Sequence, residues 1–197
     1  MIEWIHMEIR MLSDYAAFFK GKKENILINP SKEILGDLKF NSRIVLYTSD
    51  IFSNGNFLNG ERVLIKGPGE YEVGGVEING FNGEDGNTVY SVVIEGISIV
   101  ILGKIAQELS SKRIERIDSA DVLLAPVTIG GDGSFKLVKE WSKKWGVNYL
   151  IPMFEKDDEL KKFLDAADEE GLETIDSLKV EKDDLPDGLE VKLLKKV

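Results

Sequence analysis

Side chains able to do metal or nucleophilic chemistry are scarce in this chain, which has one histidine, His6, and no cysteine among 197 residues. A hydrolytic zinc centre needs several neutral imidazoles and carboxylates converging on the metal, with one position open for water. A single imidazole cannot supply them. A serine triad fails for want of a suitable histidine, because His6 stands near the chain start, ahead of the first strand pattern. The absence of cysteine excludes disulfides, thiolate zinc sites, iron-sulfur clusters and cysteine nucleophiles. Magnesium or calcium would need converging oxygen donors, and Asp14, Asp50, Asp85 and Asp132 are scattered among 35 acidic residues. A lysine nucleophile at Lys104 would need a depressed pKa and a carbonyl substrate, and the sequence indicates neither. Gly130, Gly131, Asp132 and Gly133 form a loop able to cradle an anion, but no Walker lysine follows at the required spacing. Glu70 and Tyr71 follow Gly67, Pro68 and Gly69, whose backbone preferences account for the segment as a structural turn.

The elements that must position any site read as two textures. Met7 to Leu12, Asn25 to Ile28, Ile44 to Leu46, Val63 to Ile65 and Val73 to Ile78 are apolar or alternating runs, so they predict strands. Gly74 and Gly75 predict a tight hairpin, and Thr88 to Ile94 with Ile97 to Leu102 flank Glu95 and Gly96 as the strongest hairpin signal. After Gly103 helices and strands alternate. Ser110 or Ser111 caps a short helix through Ile117; Val122 to Ala125 reads as a strand buried on both faces; Phe135 to Trp145 reads as a helix. Val147 to Pro152 is another buried strand, and Asp157 to Glu170 is an acidic amphipathic helix ended by Gly171. Trp141 and Trp145, one helical turn apart, are expected in the core, with an oligomer contact as the alternative. Hairpins followed by βαβ units predict mixed sheets sandwiched by helices. The length fits one domain, 1–197, with a hairpin-rich half at about 7–103 and a helix/strand half at about 104–197.

Charge bounds the partners. The formal net charge of −10 opposes binding to a phosphate backbone or an anionic membrane surface. Nucleic acid and membrane are therefore not expected, and the partner class left is an unknown small molecule or protein, a second copy included. Met1 to Glu8 carries charges where a signal peptide needs an apolar run, which predicts a cytoplasmic protein. The acidic tail from Glu155 to Glu190 reads as a solvated face with no special role.

Several segments together resemble the metallo-β-lactamase superfamily, in its small branch of Zn-dependent hydrolases. They are Gly67 to Val73, Asn87 to Tyr90, Ile101 to Gly103, Leu123 to Val127 and Leu150 to Met153, in that order. The resemblance implies an αβ/βα four-layer sandwich with two mixed β-sheets. It also implies a loop of histidines and an aspartate after the strand Ile44 to Leu46, supplying most of the zinc ligands. In this sequence the positions so implied hold Ser49, Ile51 and Asn54 for three histidines and Ser53 for the aspartate. Asp50 occupies a variable, non-ligating position of the motif. Asn82 stands for a further histidine, Lys104 for the bridging aspartate, Phe154 for the last histidine and Asn29 for an aspartate before Pro30. The resemblance thus implies zinc as cofactor while the ligands for it are absent, so no cofactor is expected.

Two consequences follow. Lys104 would put an ammonium where a carboxylate held divalent cations, and a nearby acid such as Asp50 would be needed to satisfy it. Phe154 and Ile51 would fill the vacated volume; the competing arrangement is an open pocket with Asn54, Asn82 and Lys104 as its polar groups. The functional expectation is a metal-free, non-catalytic ligand-binding or protein-interaction module. The alternative is a metal-dependent hydrolase using non-standard ligands.

Overall fold

The computed structural model describes residues 6–35, 40–52, 61–84, 86–131, 134–169 and 171–197. Apolar runs of four to seven residues become strands because each buries at least one face. The first sheet contains β1 (Met7–Met11), β2 (Ala17–Lys20), β3 (Asn25–Ile28), β4 (Ile44–Tyr47) and β5 (Val63–Lys66). The second contains β6 (Gly69–Val73), β7 (Val76–Asn82), β8 (Thr88–Ile94), β9 (Ile97–Ile101), β10 (Val122–Pro126) and β11 (Tyr149–Met153). The C-terminal region adds β12 (Thr174–Ile175), β13 (Leu178–Val180), β14 (Glu190–Val191) and β15 (Leu193–Leu194). Sheet orders are β13-β1-β2-β3-β4-β5 and β14-β11-β10-β9-β8-β7-β6. Both are mixed: β3, β4 and β5 are parallel beside antiparallel neighbours, and β9, β10, β11 and β14 are parallel beside the β6–β9 meander.

The inner faces of the two sheets form one core, to which Ile9, Phe19, Ile28 and Leu46 contribute from one side and Ile78, Val92, Ile101 and Leu124 from the other. The helices are α1 (Lys32–Leu35), α2 (Ser111–Ile114), α3 (Ser134–Trp145) and α4 (Asp157–Ala166). On the outer face of the second sheet, Val100, Leu123, Ala125 and Leu150 pack with Val138, Trp141, Trp145 and Phe163 of α3 and α4. This double burial is why β10 is apolar at every position. Both tryptophans lie in that core, and Trp145 Nε1 donates to the Ile114 carbonyl at 3.2 Å. On the outer face of the first sheet, Leu27, Val45 and Tyr47 are covered in part by Ile34 of α1 and by Phe40. The result is the expected α/β four-layer sandwich with a thin outer layer on the first sheet.

The chain crosses from the first sheet to the second between β5 and β6. Elements differ from expectation in three places. Helix α2 stops at Ile114 rather than Ile117, and its Ser110 cap makes no side-chain hydrogen bond. Helix α4 stops at Ala166, where the Ala167 N–H turns back to Phe163 and Leu164 and Asp168 adopts φ 55°, taking the left-handed terminating role expected of Gly171. The acidic tail is not merely a solvated face, because β13 and β14 from it close one edge of each sheet. Gly74 and Gly75 form the expected turn between β6 and β7, with φ 61° and 83°. Among the described residues no helix is long and apolar enough to cross a membrane.

Candidate functional site

Strand direction decides where chemistry can collect. The parallel strands β3, β4, β9, β10 and β11 all end at one end of the sandwich, and the residues following them are Asn29, Thr48, Leu102 to Lys104, Val127 and Phe154. Hydrogen bonds tie the two sheets together there. Asn29, 1 % exposed and at φ 47°, donates through Nδ2 to the Tyr15 carbonyl at 2.9 Å and to the Thr48 hydroxyl at 2.9 Å. Its Oδ1 accepts from the Thr48 backbone N–H at 2.8 Å. Thr48 then accepts from the Thr88 N–H of β8 at 2.7 Å, which bridges the sheets. Tyr90 adds a second bridge, donating to the Tyr47 carbonyl at 3.1 Å and accepting from the Gly67 N–H at 3.1 Å. Burial pushes its phenol up to about 12, so it stays a neutral donor. Gly103, at φ 67°, comes so close to Thr48 that a Cβ there would lie 2.6 Å from the Thr48 Cβ and Oγ1.

Two ammonium ions with their acids lie at this end. Lys104, following β9, forms an ion pair with Glu155 and lies 5.4 Å from the Tyr15 ring centroid. Lys196 donates to Asp14 Oδ1 at 2.7 Å and to the Phe154 carbonyl at 2.6 Å, with its ammonium 3.6 Å from the Phe154 ring centroid. A bridge between Met11 and Lys196 brings the C-terminal strand beside β1. Tyr15 sits between these groups and faces Phe52 at 6.3 Å. Its phenol is held well above the ordinary tyrosine range, first by burial and then by the negative charges of Glu155, Glu159 and Asp14, with Thr128 acting in the opposite direction.

The residues expected at a former metal site are placed as follows. Lys104 and Phe154 belong to this cluster, joined through Glu155 and Lys196. The acid that meets Lys104 is Glu155, not Asp50. Ser49 is half-buried and turns inward on its own loop, its hydroxyl accepting from the Ile51 N–H at 3.4 Å. Asn82 is exposed at the end of β7, where it pairs with Thr88, the residue bonded to Thr48. Ile51 is 83 % exposed, which corrects the expectation that it fills vacated volume; the turn of Asp50 to Phe52 points Phe52 inward instead. Ser53 and Asn54 lie outside the described residues, as do Asp85 and Asp132. Glu155, Lys196 and Tyr15 carry the chemistry of this end and were not foreseen. Glu155 follows the flagged Phe154 directly, whereas no spacing rule connects Lys196 to Asp14 across the length of the chain.

Residues 8–153 match the family model of the beta-lactamase superfamily domain. The chain belongs to that superfamily. Solved structures share the fold. A candidate Zn-dependent hydrolase of the metallo-β-lactamase superfamily from Thermotoga maritima superposes with a TM-score of 0.79 at 23% identity, covering 95% of this chain and 98% of that one. A metallo hydrolase from the archaeon Ignicoccus hospitalis gives 0.61 at 12% identity over 89% and 99% of the two chains. The short form of human tRNase Z gives 0.55 at 11% identity over 77% and 94%. No curated protein matches the chain.

Zinc, implied by the superfamily, does not fit the donors present. Among the described residues no group of three His, Cys, Asp or Glu side chains is placed to hold a metal. Each acid of the cluster already faces an ammonium, and an ammonium neither coordinates nor tolerates a divalent cation at contact distance. Asn29 and Thr48 spend their polar atoms on each other and on backbone groups.

Proposed function

We propose that this member of the beta-lactamase superfamily works without a metal, as a non-catalytic ligand-binding or protein-interaction module. The observation that carries the reading is the pair of ammonium groups, Lys104 and Lys196, each matched by a carboxylate at the end of the sandwich where parallel strands terminate. A hydrolytic metal centre gathers negative and neutral donors around a cation from solution. Here the cations are part of the chain, and their charge is already balanced. On this reading the chain itself balances the charge there, and recognition is assigned to the surroundings, including Ser49, Asn82 and the Phe154 loop, with Ser53 and Asn54 completing the candidate set. The partner is a small molecule or a protein, a second copy included, met in the cytoplasm. The −10 charge disfavours nucleic acid and anionic membranes as that partner.

Thermal unfolding in the presence of zinc or manganese tests the reading. A site saturated a hundredfold above its Kd would add about 2.7 kcal/mol, or roughly 5–11 °C in Tm for a chain of this size. The expected result is no chelator-reversible rise. A rise of that size, together with a hydrolytic activity lost on chelation, would restore the metal-dependent alternative.

A further inference from the structure

We propose that the end of the sandwich is a receptor for a primary alkylammonium group, which the chain fills with its own Lys196. The inference rests on the metal-free reading above and goes further, because it assigns a ligand chemistry. Three features from two separate loops meet the Lys196 ammonium, whose side chain is 29% exposed and that of its acid 42%: the Asp14 carboxylate at 2.7 Å, the Phe154 carbonyl at 2.6 Å and the face of the Phe154 ring at 3.6 Å. A carboxylate, a carbonyl and an aromatic face together satisfy a primary ammonium, which has three N–H donors and a positive charge. They suit a metal ion poorly, since the ring offers no lone pair.

The group that fills the receptor arrives from far away in sequence. Lys196 lies outside the family-matched residues 8–153. The backbone that carries it is anchored independently of the ammonium: Lys196 bridges to Met11, the preceding β15 pairs with β12, the Lys195 N–H donates to the Ile175 carbonyl at 2.9 Å, and Leu193 and Leu194 are buried. Removing the Lys196 side chain beyond Cβ therefore leaves the strand in place and the receptor empty. What the receptor then takes is a cation of the same chemistry from solution. Divalent metals lack the ligand set there, and quaternary amines lack N–H groups for Asp14 and the carbonyl.

The test is chemical rescue. Propylammonium reproduces the Lys196 side chain from Cγ to Nζ, so the Lys196→Ala protein is unfolded thermally with propylammonium, tetramethylammonium or sodium chloride at equal ionic strength. The ion pair is partly exposed, so Lys196→Ala is expected to lower Tm by about 2–4 °C. Propylammonium should recover at least half of that loss and leave the wild-type Tm unchanged, while sodium and tetramethylammonium should recover none. The Lys196→Met protein, which keeps the stem and lacks the charge, should lose stability without being rescued. An unchanged Tm in Lys196→Ala, or equal recovery with all three salts, would overturn the receptor. Zinc-dependent stabilisation of the wild type would overturn the metal-free reading instead, so the two failures are distinguishable.

Discussion

Gly103 is the position where one added carbon measures how tightly the two sheets are joined at the site end. In Gly103→Ala two penalties add. The left-handed backbone at φ 67° costs an L-residue about 1–2 kcal/mol. The new Cβ also falls 2.6 Å from the Thr48 Cβ and Oγ1, well inside van der Waals contact, and Thr48 is completely buried. Its hydroxyl and backbone are held by Asn29 and its carbonyl by Thr88, so it cannot give way without losing those bonds. Overpacking of this kind costs about 1–3 kcal/mol. The expected total is about 2–5 kcal/mol, or roughly 4–20 °C in Tm for a chain of this size. Gly96→Ala is the control: Gly96 has a similar φ of 80°, but a Cβ there meets nothing within 4 Å, so only the backbone penalty applies. Calorimetry or chemical denaturation of both variants isolates the steric part. Equal losses in the two variants would refute the close approach of Gly103 to Thr48, and with it the described join between the sheets.

Two further outcomes are expected. Asp121, 8 % exposed, accepts from the Ser98 N–H and hydroxyl and from Lys182, so Asp121→Ala should cost about 2–4 kcal/mol. Lys182→Ala should cost under about 1 kcal/mol because that ammonium is half exposed, and equal losses in denaturant titrations would contradict the assignment. Tyr15 and Tyr90 titrate above the unfolded tyrosine value of 10.0, so the folded state binds more protons than the unfolded state once pH passes that value. Stability is then full below about pH 10 and falls as pH rises toward the folded values. Tyr15→Phe should flatten that alkaline loss, and phenolate absorbance from these two rings should emerge only with unfolding.

What the sequence disclosed follows from signal length. β8, β9 and β10 are runs of five to seven apolar or β-branched residues whose burial leaves a direct mark, and all three were legible. β2, a four-residue Ala-Phe-Phe-Lys run, carries no period, and β12 to β15 are two or three residues long within a charged tail; their pairing comes from neighbours already in place. The candidate site divides in the same way. Lys104 and Phe154 could be named in advance because the resemblance anchors each to the segment just before it, Ile101 to Gly103 and Leu150 to Met153. Lys196 was not, because its partner Asp14 lies 182 residues away and surface-type lysines look alike in a chain with 25 basic residues. Ile51 holds a position where the resemblance implies a metal-facing histidine, but the tight turn of Asp50 to Phe52 rotates it to solvent.

The proposal that the chain works without a metal rests on Lys104 and Lys196 each being matched by a carboxylate of the chain. Metal stoichiometry of the wild-type protein, measured by mass spectrometry after loading with zinc and manganese and removal of excess ion, tests it most directly. Bound metal far below one ion per chain is expected. One or more tightly held ions per chain, lost on chelation, would contradict it.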